Sequence, residues 1–181
     1  MRDYYGIEEI SKYTILFGGV KSHIEYDYIS RVEFDGKPSE SVFYVKDGDL
    51  WGIYDAANNQ GTGIPKYSSI SVFRNGIAIV SEVDDDYNKK YNLLNDKYDT
   101  LYPTYFDKIF YCQNGLYITE QDSKYGILDC NGKEILACVY DEVKSELVEC
   151  FDKIYVSLRK EKNTILVDDT GNIYTISPNN G

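Results

Sequence analysis

An aromatic residue, a short apolar run and an aspartate or asparagine recur along this chain at intervals of 34–40 residues. The clearest copies are Trp51-Gly52-Ile53-Tyr54-Asp55, Tyr91-Asn92-Leu93-Leu94-Asn95 and Tyr125-Gly126-Ile127-Leu128-Asp129. Weaker copies start at Tyr13 and Thr164. Self-similarity at this period marks an array of small supersecondary units. One such unit cannot bury its own apolar face, so its stability must come from its neighbours. Arrays of this kind present surfaces to partners more often than they house a reaction centre.

A second landmark falls 13 to 16 residues after the starts, at Tyr26-Asp27, Tyr67-Ser68, Phe106-Asp107 and Tyr140-Asp141. Short stretches rich in β-branched and aromatic residues follow, among them Val42–Val45, Ile77–Val80 and Ile154–Val156. They are too short for ordinary helices and suit strands. Asp35-Gly36, Asp47-Gly48, Asn75-Gly76, Asn114-Gly115 and Asn131-Gly132 supply hairpin turns. The expected fold is all-β: four to five degenerate repeats of 34–40 residues, three short strands each, forming one domain over residues 1–181. Three strands per unit favour a stacked open array over a small closed propeller-like ring. Residues 1–12 and 164–181 are expected to be terminal caps or closure strands. The stretch from Glu142 to Phe151 comes nearest to helical spacing and predicts one short helical turn.

Composition narrows the function. The chain has 181 residues, 43% of them hydrophobic, and a formal charge of −11. Such a charge opposes binding to phosphate backbones and steers a basic protein toward the chain. The apolar runs are far shorter than the roughly 20 residues that cross a bilayer. Met1–Gly6 leads into Glu8 and Glu9 and not into an apolar leader. The expected setting is therefore cytoplasmic, with no nucleic-acid or membrane partner; the composition does not fix an oligomeric state. Cys112, Cys130, Cys138 and Cys150 form no C-x-x-C pair, and they are read as free thiols packed as small hydrophobes.

Trp51, Tyr91 and Tyr125 are expected to fill space between units, with Gly52 and Gly126 permitting close backbone approach. Tyr26, Tyr67 and Tyr140 mark the corners. A buried Trp51 indole predicts a loss of about 3–5 kcal/mol on Trp51→Ala. The Trp-Gly-Ile-Tyr-Asp and Tyr-Gly-Ile-Leu-Asp starts, Asn131–Ile135 and Tyr140–Val143 together resemble the bacterial WG-repeat family. That resemblance covers most of the chain. It is sharp at 125–143 and good at 51–80, with Asn92 and Thr164-Ile165 departing from the pattern. It implies a repetitive all-β interaction module with no catalytic residues to carry over.

Nothing in the sequence assembles catalytic, cofactor or metal residues. His23 is the single histidine and has no motif around it. Asp84-Asp85-Asp86-Tyr87-Asn88 has the opening spacing of a calcium loop without its glycine or distant glutamate. A solvated hairpin tip accounts for it better. Tips vary between copies, and variable loops in arrays gather along one face. Asp47, Asp49, Asp84, Asp85, Asp86, Tyr87 and Asp122 are accordingly the candidate contact residues. The expected function is non-enzymatic binding of a basic protein, in the manner of an inhibitor or immunity-type protein. With 19 tyrosines, the alternatives are a carbohydrate or small-ligand receptor with exposed tyrosine shelves at equivalent positions and, less favoured, an enzyme.

Overall fold

The computed structural model describes residues 12–58, 63–150 and 153–177. Residues 1–11 of the first expected cap, residues 178–181 of the last and Phe151 lie outside them. Sixteen strands are described: β1 Leu16–Phe17, β2 Val20–Lys21, β3 Tyr28–Phe34, β4 Lys37–Asp47, β5 Leu50–Asp55, β6 Ser69–Ile70, β7 Ala78–Val83 and β8 Lys89–Leu94. The rest are β9 Lys108–Tyr111, β10 Tyr117–Gln121, β11 Lys124–Leu128, β12 Glu134–Tyr140, β13 Glu142–Cys150, β14 Lys153–Lys160, β15 Asn163–Asp168 and β16 Ile173–Ile176. They form five antiparallel sheets, ordered β1-β2, β3-β4-β5, β6-β7-β8, β12-β11-β10-β9 and β13-β14-β15-β16.

Four apolar clusters lie between these five sheets. Ile15 of the first sheet packs with Tyr26 and Val45. Val32 and Ile53 meet Tyr67, Ala78 and Val80 across the next joint. Ile77 and Leu93 meet Ile109, Tyr117 and Leu128 across the third. Ile118 and Ile127 meet Val156, Leu158, Ile165 and Val167 across the last. Alternation along each inner strand serves two joints at once: Ala78 and Val80 point one way, Ile77 and Ile79 the other. Among the described residues no cluster joins the first sheet to the last, so the array is open.

Sheets and sequence copies are out of phase. Each three-stranded core runs from the corner of one copy through a hairpin to the start strand of the next, as β3-β4-β5 does from Tyr28 to Trp51. Neighbouring sheets are stitched by a backbone exchange between start and corner. Trp51 N–H donates to Tyr67 O at 2.7 Å and Tyr67 N–H returns to Trp51 O at 3.0 Å. Tyr13 with Tyr26 and Tyr91 with Phe106 do the same. Tyr125 faces Tyr140 in register, and Thr164 faces Ile176.

Two of the four corner rings are deeply buried, Phe106 and Tyr140 being half-buried, and none of the start rings is. Tyr26 is 0% exposed and Tyr67 2%, whereas Trp51, Tyr91 and Tyr125 are half-buried and Tyr13 is exposed. This corrects the expectation of a buried indole. Trp51 sits at the sheet margin, edge-on to Tyr28 at 5.8 Å and beneath the Lys46 ammonium. The residue after the start is the close contact. A Cβ on Gly126 would lie 2.6 Å from the Leu136 carbonyl oxygen, and one on Gly52 would lie 3.1 Å from the Pro65 backbone. Asn92 solves the same problem differently. Its buried amide donates to Tyr102 O at 2.8 Å and accepts from Leu93 N–H, so its side chain replaces the backbone approach.

The helical turn expected at Glu142–Phe151 is also corrected: Glu142–Cys150 is strand β13, paired with β14. Register shifts between Val143 and Ser145 and between Ser145 and Val148 break its period of two. Broken alternation is what resembled helical spacing. Among the cysteines, Cys112 is buried in the last joint, while Cys130 and Cys138 are only half-buried.

Candidate functional site

The hairpin tips lie along one edge of the array, and a repeated polar relay holds them there. In three copies a lysine stands just before the start residue and reaches the corner aspartate. Lys12 pairs with Asp27 at 3.5 Å, Lys90 with Asp107 at 2.6 Å and Lys124 with Asp141 at 2.7 Å. Each aspartate then caps the tip of its own sheet. Asp27 Oδ2 accepts from Gly48 N–H at 2.7 Å, Asp107 Oδ2 from Asp122 N–H at 2.8 Å and Asp141 Oδ2 from Glu161 N–H at 2.9 Å. The path from tip 84–88 therefore runs through Lys90 and Asp107 to tip 121–124, then through Lys124 and Asp141 to tip 160–163.

These contacts hold the three corner carboxyls below the ordinary carboxylate value. The Gly48 amide is the leading cause at Asp27, the Lys90 ammonium at Asp107 and the Lys124 ammonium at Asp141. Lys90 is raised in turn by its hydrogen bond to Asp107. These groups are exposed or only partly buried, so the relay orients the tips more than it stabilises the fold.

The remaining joint lacks both partners, because Leu50 and Ser68 occupy the lysine and aspartate positions. Ser68 Oγ turns instead to Ser81, at 2.8 Å from its hydroxyl. Without a corner carboxylate, the tip of that sheet closes on itself. Asp84 Oδ1 accepts from Asp86 N–H at 3.0 Å and from Asn88 N–H at 2.8 Å. The calcium-loop spacing is thereby explained as an Asx-capped turn. On the far side of that corner Glu82 of β7 gathers Lys66 and Tyr105, with Tyr105 O–H donating to Glu82 at 2.7 Å and Lys66 3.5 Å from the same oxygen, which links the unclasped corner to the next one. Burial, then the Glu82 carboxylate, push the Tyr105 hydroxyl well above its ordinary value.

The candidate contact residues are distributed along this edge. Asp47, Asp49, Asp85, Asp86 and Asp122 are exposed, and Asp84 is half-buried. Tyr87, at the crest of the self-capped turn, is 90% exposed with φ at +64°. Asp47 pairs with Lys12; among the described ion pairs none engages Asp49, Asp85, Asp86 or Asp122. The edge therefore carries carboxylates in excess of its lysines.

The relay residues Lys12, Lys90 and Lys124 and corners Asp27, Asp107 and Asp141 were not anticipated from the sequence. Their signal is there: a lysine before the start aromatic and an aspartate after the corner aromatic are kept together in three copies and lost together in the copies that start at Trp51 and Thr164. His23 is exposed near Lys21 and Tyr54 in a shallow surface hollow. Exposed tyrosines occupy unlike places, with Tyr13 at a start, Tyr28 beyond a corner, Tyr87 at a tip and Tyr174 in the last strand. They do not form shelves at equivalent positions.

The family model of the WG containing repeat matches residues 51–85 and 125–146. No curated protein matches the chain.

Proposed function

Taking the chain as an open array of WG containing repeats, we propose that it is a non-enzymatic, cytoplasmic protein-interaction module. It binds a basic protein partner through the hairpin-tip edge, as an inhibitor or immunity-type protein would. The observation that carries this reading is the set of caps, which fixes three tips through the relay and a fourth through Asp84, and leaves Asp49, Asp85, Asp86, Asp122 and Tyr87 exposed to solvent. A preset aromatic rimmed by carboxylates suits a basic surface: the ring supplies contact area and the charges supply steering. The overall charge of −11 supports the same partner chemistry.

The test is affinity capture from the native host with mass spectrometry, followed by titration of the purified partner. The expected partner is basic, binds more weakly as salt rises, and loses about 2 kcal/mol or more of affinity with Tyr87→Ala. Asp85→Asn with Asp86→Asn should slow association chiefly. Salt-insensitive binding to a neutral protein, unaffected by these tip variants, overturns the proposal.

A further inference from the structure

The turn at 84–88 has three counterparts built alike. In each, the first side chain accepts from the amides two and four residues on, as Asp129 does from Asn131 and Lys133, Asp168 from Thr170 and Asn172, and Asn95 from Lys97 and Asp99. The fourth residue then takes a positive φ: +77° at Gly132, +82° at Gly171, +68° at Tyr98 and +64° at Tyr87. Glycine occupies that conformation freely, whereas a residue with a Cβ is strained there. Tyr98 offsets the strain within the fold, because its hydroxyl reaches Asp55 at 3.3 Å, 43 positions away. Tyr87 does not: its ring is 90% exposed and fills no joint.

A second departure lies at the same joint. Lys12, Lys90 and Lys124 precede their start residues, but Leu50 precedes Trp51 and is 42% exposed. In a clasped joint the Lys124 ammonium and the Glu161 amide both meet Asp141, at 2.7 and 2.9 Å. Leu50 and the 84–88 turn hold those two places around Ser68. Val83, 48% exposed, leads into the turn and lines a hollow of about 290 Å³ beside it. The charged edge is thus apolar where its clasp is missing.

The fold favours a glycine and a lysine at these two positions, yet exposed apolar groups stand there. Resting on the reading of the tip edge as a docking face for a basic protein, we propose that Leu50, Val83 and Tyr87 form the centre of that face. They bury against an apolar recess of the partner, and Asp49, Asp85 and Asp86 meet the lysines or arginines around it. A few apolar and aromatic anchors inside a polar rim carry most of the affinity of an interface. Charge selects the occupant: Asp49, Asp85 and Asp86 are exposed, and a second copy of this chain would set them against their own kind.

Two measurements on the full chain test this: chemical denaturation, and binding kinetics with the basic partner recovered by capture on the wild-type chain and then purified. Tyr87→Gly should unfold at or above the wild-type midpoint while its affinity falls about thirtyfold or more. Leu50→Ser should keep the native fold and weaken binding about tenfold. Both losses should appear as faster dissociation with the salt dependence unchanged, unlike the slower association expected of Asp85→Asn with Asp86→Asn. A lower midpoint for Tyr87→Gly would show that the ring serves the fold, and overturns the proposal. A basic partner that binds both variants as it binds wild type overturns it too, while leaving the docking face itself intact. Capture of no basic protein removes both readings. Self-association of the wild-type chain that is lost with Leu50→Ser would make the occupant a second copy, which also overturns it.

Discussion

The joint at Lys124, Asp141 and Glu161 and the joint at Leu50, Ser68 and Ser81 perform one structural task with different chemistry. Both fix a start strand to a corner by the same register of backbone pairing. The first adds a charged clasp; the second replaces it with hydroxyls, a self-capped tip and a fully buried corner ring at Tyr67. Since the sheets stack alike in both, the ion pair is not what makes the fold. Backbone exchange and the apolar filling between sheets carry it, and the clasp sets the pose of the tips.

The strongest challenge to that ranking is to remove the rings at the unclasped joint one at a time. Tyr67→Ala should cost about 4 kcal/mol, because a buried ring is lost and a cavity is left. Trp51→Ala should cost only about 1–2 kcal/mol, since part of the indole already meets water at the sheet margin. Equal losses in chemical denaturation would refute the assignment of the corner as the anchor. Next in size are the close approaches. Gly126→Ala should cost about 3 kcal/mol and Gly52→Ala about 1 kcal/mol, in keeping with the tighter backbone contact at the clasped joint.

Acid should separate the joints more gently. Asp27, Asp107 and Asp141 are all lowered from 3.8 by folding. Their contribution is therefore complete above that value and is lost as pH falls through their depressed values. Asp141→Ser should flatten the decline in stability below pH 3.8, and its small cost near neutrality should shrink with added salt. The smallest effect is a transplant. Leu50→Lys with Ser68→Asp should add about 0.5 kcal/mol at most, with coupling visible in a double-mutant cycle. A gain from either change alone would show that the lysine and aspartate do not act together at that place.

Repeat period, strand content and the open array were legible in the sequence, because start and corner phrases are written in residues whose backbone roles recur. The close approach at Gly52 and Gly126 was legible for the same reason. Depth of burial was not. A tryptophan at a sheet margin and a tyrosine at its root have similar sequence surroundings, and only the neighbouring sheet distinguishes them. The β13 bulges were hidden because an extra residue erases the alternation by which strands are recognised. At the tips, the acidic residues were visible one by one. The lysine–aspartate relay that aligns them needed copies to be compared with each other, since Lys90 and Asp107 lie 17 positions apart.

The offset between sheets and sequence copies has a consequence for how such a chain can change length. A stretch cut from one start residue to the next contains the closing strand of one sheet and the opening strands of another. Duplicating or excising that stretch joins like to like, so every sheet is whole afterwards and the molecule has merely gained or lost a course, as in staggered brickwork. Breakage between courses, by contrast, leaves a torn sheet on both sides, which ties the survival of each unit to that of the next.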